Sequence, residues 1–200
     1  MDFIGTVRSI IFSPGKFFDG AKGQKQITPA FTTYAISVVI GAILLALVQL
    51  AVRPSFLGIQ LEPPAILLNI VLGIIIALVA IFIGSGIIHI FAPHLGGKNG
   101  FYRTFNTLAY GLVPAELLAW LVAFHLIAGI VIGILLAIWS TVLLVMGIRR
   151  LHEVSLGRAI LILIVPAIVI FAILAVFAIT LSAVFLAPYL SSFLQSGIPY

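Results

Sequence analysis

The stretch His94-Leu-Gly-Gly-Lys-Asn-Gly-Phe-Tyr-Arg103 decides how this chain is organised. It gathers three glycines with His94, Lys98 and Arg103, and on both sides of it run long segments that are almost wholly apolar. A short basic loop between two such segments reads as a turn at a membrane surface, with a span entering it and another leaving.

Composition agrees. Of 200 residues, 63% are hydrophobic and 8% are charged, where an ordinary globular domain is about a quarter charged. A soluble fold of this length has no interior large enough for so much apolar surface. An integral membrane protein with several spans follows. The chain has no cysteine, which excludes disulfides, thiolate metal sites and cysteine nucleophiles. Its net charge of +5 is accounted for by topology, and no nucleic-acid partner is expected. Asp2, Arg8, Lys16, Asp19, Lys22 and Lys25 precede any long apolar core, so a cleaved signal peptide is not expected.

A membrane-crossing helix needs about 20 mostly apolar residues. Five runs qualify, at about 28–52, 64–91, 102–123, 127–148 and 156–187. Thr28-Pro29 opens the first as an N-cap followed by proline, Pro64 opens the second, and Pro188 closes the fifth. Residues 104–148 hold one charge, Glu116. As one helix they would reach roughly 68 Å, against a hydrocarbon core of about 30 Å. The chain must therefore fold back, near His125. The predicted fold is all-α: a five-span domain over 28–190, an amphipathic segment over 1–27 and a short tail over 191–200.

Basic residues fall on alternate sides of these spans. Arg8, Lys16, Lys22 and Lys25 precede the first span, Lys98 and Arg103 follow the second, and Arg149, Arg150 and Arg158 follow the fourth. The other side has Arg53 alone. The positive-inside rule then places the N-terminus in the cytoplasm and the C-terminus outside. Before the first span, Phe3, Ile4, Val7, Ile10 and Ile11 recur at helical spacing opposite Asp2, Gly5, Thr6 and Ser9. Ser13-Pro14 breaks that run and starts a second short helix with Phe17 and Phe18. These segments either lie in the cytoplasmic interface or pack on the ends of the spans. No internal repeat is visible, so a transporter built on inverted repeats is not supported.

Several stretches, in order, resemble one family. They are Phe12-Ser-Pro-Gly-Lys-Phe-Phe18, His89-Ile-Phe-Ala-Pro-His-Leu-Gly-Gly97, Phe101-Tyr-Arg-Thr-Phe-Asn-Thr-Leu-Ala-Tyr-Gly-Leu-Val-Pro114, Trp139-Ser, and Gly147-Ile-Arg-Arg-Leu-His-Glu-Val-Ser-Leu-Gly-Arg-Ala159. This pattern is similar to the Yip (Yip-one) domain family of Ypt/Rab-interacting polytopic membrane proteins. The resemblance covers roughly residues 5 to 185. It implies five spans, a cytoplasmic N-terminus and an outer C-terminus, and it brings no catalytic residues. Eukaryotic members are associated with vesicle trafficking and prenylated GTPases. With few residues ahead of its first span, this chain resembles the short bacterial and archaeal members, which puts it in the plasma membrane of a prokaryote.

Glu116 is the sharpest candidate for function. It lies about 4 Å from the midplane of the third span, where a carboxylate costs roughly 2.5 to 3.5 kcal/mol. With Tyr110 and Pro114 it is expected to line a polar kink, serving either as a relay for a proton or cation or as a hydrogen-bonded packing residue. Ser85 and His89 are four apart and share a helix face. Gly84-Ser85-Gly86 resembles the serine motifs of intramembrane proteases, but no histidine follows at mid-depth of a later span, so serine hydrolysis is not expected. His89 and His94 are divided by Pro93 and have no carboxylate near them in sequence, so no metal and no cofactor is expected. Gly84 and Gly86, and Gly129 with Gly133, allow close helix approach. Lys98, Arg103, Arg149, Arg150 and Arg158 form a cytoplasmic basic rim suited to anionic lipid headgroups, at about 1 kcal/mol each. The first functional reading is a non-enzymatic protein that organises membrane or binds a protein partner or a second copy of itself. The second is a small solute or ion transporter or channel with Glu116 on the pathway.

Overall fold

The computed structural model describes backbone over residues 2–52, 62–98 and 100–196, and side chains over 2–51, 62–98 and 100–182. Arg53 and the end of the C-terminal tail lie outside the described residues. Among the described residues there is no strand. The helices are α1 (Phe3–Phe12), α2 (Pro14–Ala21), α3 (Thr28–Val52), α4 (Pro63–Phe91), α5 (Phe101–Leu118), α6 (Leu126–Leu151) and α7 (Leu156–Ser196). A 3-10 segment, Ala119–Ala123, prolongs α5. Among the described residues five helices, α3 to α7, are long and apolar enough to cross a membrane, with α5 counted together with that segment.

Local chemistry sets the breaks. The Asp2 carboxylate caps α1 by accepting from the Gly5 amide at 3.0 Å. Ser13 leaves helical geometry, with φ −145° and ψ 51°, because Pro14 crowds it. Glu62 is extended, with φ −68° and ψ 149°, for the same reason ahead of Pro63 and Pro64. Gly96 has φ +85°, and the Gly97 amide closes the end of α4 on the Ala92 carbonyl at 2.8 Å. A Cβ on Gly97 would sit 2.8 Å from that carbonyl and 3.0 Å from the His152 ring. Gly96 is there for handedness, and Gly97 is there for space. The end of α6 uses the same turn: Glu153 has φ 54°, the Val154 amide donates to Arg149 at 3.1 Å, and Val154 packs with Ile148.

The chain forms two compact units, one up to Leu163 and one from Ile164 onward. The second is the remainder of α7, an apolar helix whose Phe171, Val176 and Ile179 are exposed; Pro188 does not end it, and the helix runs on to Ser196, past the end expected at 187. In the first unit α5 is the central helix, packed against α3, α4 and α6. Every residue from Thr104 to Gly111 is buried. This explains why α5 is the least apolar span: its surroundings are protein, so its hydroxyls and amides find partners that lipid lacks. The surrounding helices turn Ile43, Leu47, Leu67, Ile76, Ile130 and Leu135 outward, as a lipid-facing surface requires.

Helices α1 and α2 lie against the end of this bundle where α3 starts and α6 stops, α1 on α5 and α2 on α6. Phe17 and Phe18 are buried in the main core beside Tyr110 and Leu143. Helix α1 turns part of its expected apolar set inward, with Ile10 in the core and Val7 packed against it. Thr6 and Ile10 are buried, while Ile4 is 75% exposed and Phe12 77% exposed. Burial of Thr6 is cheap because its hydroxyl already donates to the Asp2 carbonyl at 2.9 Å.

Asp19 on α2 accepts two hydrogen bonds from Arg150 of α6, at 2.8 and 3.1 Å. Lys22, then Arg150, hold the Asp19 carboxyl below its ordinary range. The pair is solvent-accessible, so Asp19→Asn should lower stability only slightly, and the difference should fade in high salt. Denaturant titrations of detergent-solubilised protein at low and high salt measure this.

Candidate functional site

Polar side chains gather at two levels of the bundle. The first is the basic end. There the Lys98 carbonyl accepts from His152 Nδ1 at 3.0 Å, and a carbonyl can only accept, so Nδ1 carries the proton. Burial pushes the His152 pKa down to about 4, so the ring is neutral and its Nε2 is bare. Nε2 therefore accepts from the Thr104 hydroxyl, 3.2 Å away. The Thr104 oxygen in turn accepts from His89 Nδ1 at 3.2 Å. One proton order satisfies all three bonds, and they tie α4, the glycine loop, α5 and the end of α6 together. Beside them the Arg103 guanidinium donates to the Leu151 carbonyl and caps the C-terminus of α6.

The basic rim is therefore only partly free. Arg103 is used on α6, Arg150 on Asp19, and Lys98 on Glu153 at 2.5 Å. Lys98 also holds the Glu153 carboxyl below its ordinary range. Arg149 and Arg158 are exposed, and so are Arg8 and Lys16 on α1 and α2.

The second level is deeper. Tyr34 of α3 donates its hydroxyl to Glu116 Oε1 at 3.1 Å, and it lies 3.4 Å from the Ala77 carbonyl of α4. This joins three spans at one point. Glu116 also lines a crevice of ≈190 Å³ between α3, α4 and the junction of α5 with its 3-10 segment.

The structure separates several expected pairs. Tyr110 does not meet Glu116: its hydroxyl donates to Gln24 Oε1 at 3.2 Å, beyond the start of α3. Six residues are about one and two-thirds helical turns, so the two side chains leave α5 on different faces. Pro114 is buried inside α5, which runs four residues past it. Ser85 is buried and its hydroxyl has no partner among the described residues, while His89 turns to Thr104. His94 is exposed in the loop. Gly84 packs on Leu108 and Gly129 on the Val122 backbone, whereas Gly86 has open space beside it and Gly133 makes only ordinary contact. Tyr34, Thr104 and His152 were not among the expected site residues. A tyrosine in the first span was a usable signal, since its hydroxyl needs a partner in lipid.

A family model of the Yip1 domain matches residues 8–194. The chain belongs to the Yip1 family. Comparison with curated proteins and with solved structures returned no match. The Yip1 match covers both polar levels and α1 from Arg8 onward, and with five apolar helices it establishes an integral membrane protein.

Proposed function

We propose that this Yip1-family protein is a non-catalytic membrane organiser. Its working surface is the end of the bundle that carries α1 and α2, which faces the cytoplasm of a prokaryotic cell at the plasma membrane, with the C-terminus outside. One observation carries this reading. Helix α1 is fixed to the bundle by Thr6 and Ile10, yet it turns Ile4 and Phe12 outward, with Arg8 and Lys16 exposed nearby. Two large apolar side chains beside free basic groups suit the boundary between acyl chains and anionic headgroups. Arg149 and Arg158 add charge for the lipid surface, an acidic protein partner or a second copy.

The test uses the full chain reconstituted at rising protein density in vesicles containing phosphatidylglycerol. Electron microscopy is expected to show deformed vesicles for the native chain and round ones for the Ile4→Ser, Phe12→Ser double variant. Round vesicles with the native chain overturn the proposal. So does a solute flux through the native chain that falls with Glu116→Gln, since that result moves the function to the bundle interior.

A further inference from the structure

The crevice at Glu116 has features that fastening α3 to α5 does not use. Its lining holds Glu116 from α5, Gln49 from α3 and Asn69 from α4. All three lie within membrane-crossing segments. Polar side chains are costly toward the middle of a span unless paired, and here three helices each bring a polar residue to the lining of one crevice. Glu116 spends one oxygen on Tyr34. Among the described residues, the amides of Gln49 and Asn69 make no hydrogen bond. Apolar walls continue the crevice along Val38, Leu45, Ile70 and Ile74. Gly73 lies in the same lining, and a Cβ there would meet nothing within 4 Å.

We infer that this crevice binds the uncharged, hydroxyl-bearing headgroup of a membrane amphiphile. Its ≈190 Å³ equals about six waters in the liquid, which suits a headgroup and not a whole lipid. Two amides and a carboxyl offer donors and acceptors together, and a hydroxyl answers both. None of the described lining residues is basic, and Glu116 stands among them, so a phosphate finds no counter-charge there. Because the walls are spanning helices, the ligand enters from the bilayer, with its chains along the apolar part of the crevice. The inference needs the membrane placement of α3 to α5. It is independent of what α1 does.

The test reconstitutes the full chain in phosphatidylcholine vesicles carrying a trace of diazirine-bearing diacylglycerol. A parallel set carries phosphatidic acid with the same chains. On illumination, peptides of α3 and α4 that line the crevice should be labelled by the diacylglycerol probe, with competition by unlabelled diacylglycerol. The excess over the phosphatidic acid probe should be about five- to tenfold, the weight of one hydrogen bond. Gly73→Leu, which fills the open space, and Asn69→Leu, which removes an amide from an exposed position, should each reduce labelling by a similar factor. Where Gly73→Leu fails to fold, Asn69→Leu decides. Equal labelling by the two probes, labelling away from the crevice, or labelling unchanged in the folded variants overturns the inference.

Discussion

Adding one methyl group at Gly41 is expected to destabilise this protein by about 1–3 kcal/mol, and Gly41→Leu by more. At an open helix position, Gly→Ala usually stabilises by up to about 1 kcal/mol. The sign reverses at Gly41 because its would-be Cβ points at the backbone of the neighbouring helix. It would collide with the Glu116 carbonyl oxygen, with the Glu116 carbonyl carbon 3.0 Å away and the Leu117 Cα 3.7 Å away. Backbone inside a packed helix cannot step aside as a flexible side chain can, so α3 and α5 must move apart. That separation also stretches the Tyr34–Glu116 hydrogen bond, which joins the same two helices. The comparison variant is Gly73→Ala, where the added methyl meets open space and stability should hold or rise slightly. Thermal unfolding in detergent, followed by far-ultraviolet circular dichroism, ranks these variants against the native chain. Equal behaviour of Gly41→Ala and Gly73→Ala would sink the claim that α3 and α5 cross in backbone contact.

The spanning helices were legible because the hydrocarbon core imposes a length and a polarity that few soluble segments meet. The family was legible in the order of weak motifs running from Phe12 to Ala159. What stayed hidden depends on distance in sequence. Tyr34 and Glu116 are 82 residues apart, and nothing in the periodicity of either span announces the other. The apolar set Phe3, Ile4, Val7, Ile10 and Ile11 marks α1 as amphipathic, but it does not show that Thr6, whose hydroxyl is satisfied within the helix, turns inward with Ile10 while Ile4 faces out. His152 follows Arg149 and Arg150 at the end of α6. It is 1% exposed because Gly97, lacking a side chain, lets the preceding loop close over the ring. Thr104, Asn106, Thr107 and Tyr110 make the third span the most polar. A span that polar belongs at the centre of the bundle, away from lipid.

Lowering the pH from about 6.5 to 4 should remove roughly 3 kcal/mol of stability through His152 alone. Burial holds the folded-state pKa at about 4, against an ordinary value of 6.5. Between those values the unfolded chain binds a proton that the folded chain refuses. Stability therefore rises with pH across the window, is complete above about 6.5, and is flat below about 4 as far as this group is concerned. The cause is geometric. Lys98 O occupies Nδ1, Thr104 donates to Nε2, and charging the ring would put a second proton where a hydroxyl already donates. The carboxyls of Asp19 and Glu153, held below their ordinary range, lose their contribution as pH falls through and below the bottom of this window. Denaturation midpoints of the native chain should thus fall steadily from pH 6.5 to 4. In His152→Gln, which keeps an amide donor and acceptor but does not titrate, the fall should be smaller by about that amount. Thr104→Val supplies the other arm: it leaves Nε2 buried without a donor, at a cost of about 1–3 kcal/mol above pH 6.5, and it makes protonation of His152 easier, so its pH slope should shift upward in pH. Parallel slopes for the native chain and His152→Gln would mean that the ring is not the neutral keystone joining α5, α6 and the glycine loop.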